Sequence, residues 1–159
     1  MHLKNRIYNP HQPQKYRRLS KDDAQIWEDY LIKFKPDYIK IEYDLPICTT
    51  EMINRVMKGN YEQAYLHLTN KRIDVLGHTR SHIDLYEIKP RANSHALGQV
   101  LTYSYLYNHQ FKPNVPLNLI VLSNYCTEID FKCFSHFKIK LICMKDIQPA
   151  PANPKKNYL

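Results

Sequence analysis

Three charged residues, Asp74, Glu87 and Lys89, stand where strand-like sequence would otherwise be apolar. They lie in the runs Lys71-Arg72-Ile73-Asp74-Val75-Leu76-Gly77 and Ile83-Asp84-Leu85-Tyr86-Glu87-Ile88-Lys89-Pro90. Alternate side chains along a strand share a face, so Glu87 and Lys89 fall with Ile83 and Leu85, and Asp74 falls with Leu76. With an even number of residues in the loop between the runs, Asp74 sits directly across from Glu87, about 4.5–5.5 Å away at Cβ. Two carboxylates and an amine on an apolar face are costly unless something compensates them. A divalent cation would do so, which points to metal-dependent phosphodiester chemistry. The alternative is a buried ion-pair network holding the hairpin, which needs geometry good enough to offset desolvation.

The elements that must position these groups follow from periodicity and punctuation. Ser20 suits an N-cap, and Asp22 and Asp23 suit a first turn, so a helix is predicted from Ser20 to just before Pro36. Trp27, Tyr30, Leu31 and Phe34 form its apolar stripe, with Asp23 on the same side one turn earlier and Glu28 on the flank. A strand over Tyr38–Tyr43 follows, then a short helix from Thr49 or Thr50 through Met57. Three strands, Glu62–Leu68, Arg72–Leu76 and Ile83–Lys89, are joined by short polar links and predict an antiparallel meander. Ser94 is expected to cap a second long helix, from Ala96 to about Asn108. The unalternating run Leu117–Leu122 fits a strand covered on both faces, and a helix between two strands favours a parallel crossover. A short helix near Glu128–Phe137 and a strand over Ile139–Met144 complete an α/β chain: a mixed sheet with helices on both sides.

Size and composition narrow the function. At 159 residues the chain is expected to form one domain over 20–148, behind a basic N-terminal arm (1–19) and ahead of a proline-spaced, flexible C-terminal tail (149–159). Only three glycines are present, which leaves no glycine-rich phosphate loop. The apolar runs are too short to span a membrane, and no secretory signal is visible. The expectation is therefore a cytoplasmic protein whose cysteines (48, 126, 133 and 143) are reduced thiols. The formal charge of +8 favours a polyanionic partner, nucleic acid above all. Cys126, Cys133 and His136 do not have the spacing of a common zinc site, and the cysteines read as core thiols. His78 and His82 flank the hairpin turn, to contact phosphate or simply to be solvated.

Asp74, twelve residues, then Glu87-Ile88-Lys89, in a helix–meander–helix–strand order, resembles the PD-(D/E)XK nuclease superfamily. That superfamily includes restriction endonucleases, Holliday-junction resolvases, RecB-like nucleases and the nuclease subunits of some transposases. The resemblance spans roughly residues 20–145. It is strengthened by Gln99-Val100-Leu101-Thr102-Tyr103, which looks like the Gln-x-x-x-Tyr motif of RecB-like members. Ile73, and not Pro, precedes Asp74, a position at which many members vary. The resemblance implies a restriction-endonuclease-like αβββαβ core that hydrolyses DNA with Mg²⁺, for which Mn²⁺ would substitute. Asp74, Glu87 and the backbone carbonyl of Ile88 would hold the metal, and Lys89 would orient water or stabilise negative charge. Gln99 and Tyr103 would help to position the site. Asp23, ahead of Glu28, would be a further acid from the first helix. Arg91, Arg72 and Gln99 are the expected nucleic-acid contacts, in a monomer, a homodimer or a larger nucleoprotein complex. The rivals are a catalytically silent nucleic-acid binder on the same fold, a dimeric junction resolvase, and a basic interaction protein that neither binds nor cuts DNA.

Overall fold

The structure is a computed structural model that describes Tyr16, residues 19–47 and residues 71–148. In chain order its elements are α1 (Lys21–Phe34), β1 (Lys40–Ile47), β2 (Lys71–His78), β3 (Ile83–Arg91), α2 (Ser94–Phe111), β4 (Leu117–Thr127), α3 (Glu128–His136) and β5 (Lys140–Gln148). Among the described residues the order from α1 to β4 is αβββαβ. The strands form one sheet in the order β1-β2-β3-β4-β5. β1 and β2, and β2 and β3, pair antiparallel; β3, β4 and β5 run parallel. The expected mixed sheet with a helical crossover is thus present.

Local chemistry explains most boundaries. The Ser20 hydroxyl accepts the Asp23 N–H at 3.1 Å, closing the first turn of α1. Lys35 ends that helix in a left-handed conformation, its N–H on the Leu31 carbonyl at 3.0 Å, because the residue before Pro36 cannot comfortably remain helical. The cap of α2 is Asn93 and not Ser94: the Asn93 side chain accepts the Ala96 N–H at 2.9 Å, so the helix starts earlier than expected and runs on to Phe111. Thr127 and Asp130 form a reciprocal capping box at the head of α3.

The first strand is Lys40–Ile47, where Tyr38–Tyr43 was expected. Asp44-Leu45-Pro46 reads as a chain breaker, but among the described residues β1 is an edge strand, where a proline lacks no needed N–H. Both edges of β2 are filled, by β1 and by β3, so the described meander is β1-β2-β3. That run, and the helix expected through Met57, lie outside the described residues.

Two apolar layers cover the sheet. On one face Ile26, Trp27 and Tyr30 of α1 pack on Ile41, Val75, Tyr86, Ile88, Ile120 and Leu122. Tyr16 and Leu19, from the end of the expected arm, join this layer, with Tyr16 and Tyr43 rings 4.9 Å apart. On the other face Ala96, Val100, Tyr103 and Tyr107 of α2 and Phe134 of α3 pack on Leu76, Leu85 and Val121. Each such side chain, fully buried, contributes about 1.5–3 kcal/mol before conformational entropy is counted. The phenols in the α1 layer are all satisfied. Tyr38 donates to Asp84 at 2.7 Å and meets Tyr86, which meets Tyr30 at 2.8 Å; Asn118 donates to the other Asp84 oxygen at 2.8 Å. Gly77 makes this possible, because a Cβ there would lie 2.4 Å from the Tyr38 ring.

Candidate active site

Asp74 and Glu87 lie where β2 and β3 part. The ladder runs from His78–Ile83 to Val75–Tyr86. The connecting loop holds four residues, 79 to 82, an even count as expected. Continuing that register by one step sets Asp74 opposite Glu87. At this point the main-chain pairing gives way, and Asp74 Oδ2 accepts the Ile88 N–H at 2.8 Å. On the other edge of β2, pairing with β1 skips Asp44–Asp74, and Asp44 takes a left-handed φ of 53°. Leu45, Ile47 and Ile73 then join the α2 layer, whereas Val75 faces α1. A carboxylate has replaced a strand neighbour. Because the N–H and C=O of one strand residue point to the same edge, the Ile88 carbonyl faces the same gap.

Glu87 is 1% exposed. Lys89 Nζ lies 2.8 Å from Glu87 Oε1, as alternation requires. Even so, neither carboxylate oxygen of Glu87 has a hydrogen bond of good geometry among the described residues. Burial, and then the Asp74 charge, push Glu87 up to about 8. Burial also pushes Asp74 up to about 6, against the pull of the Ile88 N–H and of Lys89. Burial works against the charged form of Lys89, but Glu87, Asp74 and Asp23 together raise it above its ordinary value. Like carboxylates in a dry site cannot both ionise cheaply. At neutral pH the pair therefore holds a proton beside a firmly charged ammonium.

The remaining expected residues fall into place around this centre, or away from it. Asp23 adds its field to Asp74, Glu87 and Lys89, and its Oδ1 is buried with no partner among the described residues. Glu28 acts instead on Tyr16. Gln99 Nε2 donates to the Tyr103 hydroxyl at 2.8 Å, one helical turn along α2. Tyr103 is raised by its burial, against the Gln99 hydrogen bond, and by the fields of Glu87 and Asp74, so it borders the same centre. Arg72 is held by Asp44, through the Asp44 carbonyl at 2.7 Å and both carboxylate oxygens. Arg91 lies over the ring of Tyr125. The two turn histidines are engaged within the fold: His78 bonds Glu42 at 2.7 Å, and His82 bonds Thr79 and Ser81.

Sequence reasoning missed Ser123. Its hydroxyl is fully buried without a partner among the described residues, and it pairs in register with Lys89. A serine in an apolar run carries no signal until the β3–β4 register is known. Cys126, Cys133 and Cys143 are free thiols; Cys126 is in the core as expected, but Cys133, on α3, is exposed and is not a core residue.

Among the described residues no three His, Cys, Asp or Glu side chains converge into a ready-made metal cage. Two carboxylates are nevertheless a sufficient protein anchor for Mg²⁺, which prefers oxygen donors and keeps several waters. The buried carboxylate of Glu87, with Oε2 unpartnered among the described residues, fits a hard cation, as does the gap that Ile88 faces.

No protein-family model and no curated protein matches the chain. Among solved structures, a repair endonuclease from Pyrococcus abyssi aligns at 22% identity and a TM-score of 0.40, over 46% of this chain and 33% of the other. EndoMS, in a complex with double-stranded DNA, aligns at 15% identity and a TM-score of 0.44, over 87% of this chain and 51% of the other. The chain thus spans about a third of the first and half of the second.

Proposed function

We propose that the protein is a metal-dependent nuclease of the PD-(D/E)XK type that hydrolyses DNA phosphodiester bonds. The observation that carries this reading is Glu87: a buried carboxylate beside Asp74 whose Oε1 meets only the Lys89 ammonium, at 2.8 Å, and whose Oε2 has no partner among the described residues. A purely structural ion pair would leave no second acid beside it and no carboxylate oxygen without a donor, because an incompletely satisfied buried charge lowers stability. The net charge of +8 supports a polyanionic substrate.

Asp74, Glu87 and the Ile88 carbonyl would hold Mg²⁺ or Mn²⁺, whose chemistry is to polarise a phosphate oxygen and make bound water more acidic. The chain's own residues do the rest. The Asp74–Glu87 pair gives up its proton when a cation replaces it, so binding and deprotonation are linked. Lys89, kept charged by three carboxylates, presents an ammonium to a non-bridging phosphate oxygen or orients the attacking water. Ile88 N–H fixes Asp74 in one orientation. Gln99 and Tyr103 form a wall from α2 that limits bulk water around the carboxylates.

The test is incubation of the pure protein with linear, single-stranded, supercoiled and four-way-junction DNA, in Mg²⁺ or in EDTA. Cleavage in Mg²⁺ alone, abolished by alanine at Asp74, Glu87 or Lys89, is the expected result. Binding without cleavage would identify a silent nucleic-acid binder, and cleavage of junctions alone a resolvase.

A further inference from the structure

We infer that Asp44 and Arg72, on β1 and β2, form a positioning clamp that turns Asp74 sideways into the gap between β2 and β3. This rests on the nuclease reading, in which Asp74 holds the cation. Residues two apart on a regular strand share a face. On β1, however, Ile41 and Tyr43 lie in the α1 layer, whereas Leu45 and Ile47 lie in the α2 layer. On β2, Ile73 lies in the α2 layer and Val75 in the α1 layer. Both strands therefore turn over at the same rung, between Tyr43–Val75 and Leu45–Ile73, and the residues of that rung are Asp44 and Asp74. Counted from Leu76, Asp74 belongs to the α2 face; counted from Ile73, it belongs to the α1 face. Its carboxylate instead reaches across to β3, where Oδ2 accepts the Ile88 N–H at 2.8 Å.

Such a turnover needs something to hold it. Asp44 has a φ of 53°, in the left-handed region where a Cβ is crowded, and the ladder offers no main-chain pair at that rung. Arg72 supplies the hold. Its Nε and one terminal nitrogen take the two carboxylate oxygens of Asp44, and that same nitrogen donates to the Asp44 carbonyl at 2.7 Å. One guanidinium fork thus fixes both the side chain and the main chain of the left-handed residue. The fork starts two residues before Asp74 on the same strand, so it ties the turn in β1 to the turn in β2. A lysine would keep the charge and lose the fork. Irregularities in a ladder re-aim side chains beside functional centres, and the group re-aimed here is the Asp74 carboxylate. Arg72, expected from the sequence as a nucleic-acid contact, spends its guanidinium on Asp44 and acts through Asp74.

The experiment compares the full chain with Arg72→Lys, Arg72→Met, Asp44→Asn and the double variant Arg72→Met/Asp44→Asn in two readouts. One is the Ile88 amide, followed in EDTA by its NMR resonance and its hydrogen exchange. The other is Mn²⁺ affinity. Each single variant should displace the Ile88 resonance and speed its exchange, while the amide of Val100, buried in α2, keeps the parent's rate. Each should weaken Mn²⁺ binding about 10–100-fold, as loss of a group that orients a metal ligand does. The double variant should be no weaker than the single ones, because the two residues act as one unit. Parent Mn²⁺ affinity with an unmoved Ile88 amide in both Arg72 variants would overturn the clamp. Full rescue in Arg72→Lys would overturn it too, by reducing Arg72 to a charge, as would equal acceleration at Val100, by reducing it to general stability. Additive losses in the double variant would also count against it. A parent that takes up no Mn²⁺, with the Ile88 amide displaced in the Arg72 variants, would remove the nuclease reading and leave the clamp standing.

Discussion

Glu87→Gln should abolish cleavage and yet make the metal-free protein more stable as the pH rises. Burial and the Asp74 charge raise Glu87 from 4.5 to about 8 in the fold. A carboxyl raised on folding contributes stability that is complete below its unfolded value and is lost as pH rises through its folded value. The window is therefore from about pH 4.5 to about pH 8. At about 1.36 kcal/mol per pKa unit, the ionised side chain costs on the order of 5 kcal/mol above that window. Glutamine occupies the same space and never ionises, so the variant escapes that cost. For a chain of this length 1 kcal/mol moves the melting point by about 2–4 °C, so the gap at pH 9 should be on the order of 10 °C. The assay is thermal melting of parent and variant in EDTA from pH 5 to pH 9, repeated in Mg²⁺. The two should lie closest at pH 5 and diverge upward, and Mg²⁺ should raise the parent alone. A constant gap across pH, or a variant that is less stable at pH 9, would refute the reasoning about Glu87.

Mg²⁺ binding at pH 7 should release protons, because the Asp74–Glu87 pair sits above the ordinary carboxylate range; calorimetry in two buffers of different ionisation enthalpy measures the number released. Lys89→Met should cut the cleavage rate about 10²–10³-fold while leaving Mn²⁺ affinity within a few-fold of the parent, read by single-turnover kinetics beside a metal titration. Gly77→Ala should destabilise the fold by about 1–3 kcal/mol in urea unfolding, since the new Cβ would meet the Tyr38 ring at 2.4 Å. Trp27→Ala should cost about 3–5 kcal/mol, because Trp27 is fully buried and donates to Tyr43 at 3.0 Å.

What was legible in the sequence was chiefly what local rules decide. Alternation brought Glu87 and Lys89 to one face, and a four-residue turn put Asp74 in register with them. Ser20 and the proline two residues beyond α1 marked both ends of that helix. Long-range partnership was not legible. β1 reaches the edge of β2 across more than twenty residues, and nothing local in the 62–68 run says that the edge is already taken. Neighbouring Asn93 and Ser94 are both good caps, and only the turn that formed chose between them. Asp84 and Glu87 show the limit most clearly. Both are buried acids on β3, but Asp84 has Tyr38 and Asn118 as donors, one to each oxygen, whereas Glu87 has only the Lys89 ammonium, beside Oε1. One acid supports the fold and the other faces the gap, a difference set by side chains more than thirty residues away in the chain.

The most direct test of the central claim is an electron paramagnetic resonance titration of Mn²⁺ into the parent protein and into Asp74→Ala and Glu87→Ala variants that keep the fold. The signal of free Mn²⁺ should fall on adding the parent and persist on adding either variant. An equal fall with all three, or no fall with the parent, would contradict a cation site built from Asp74 and Glu87.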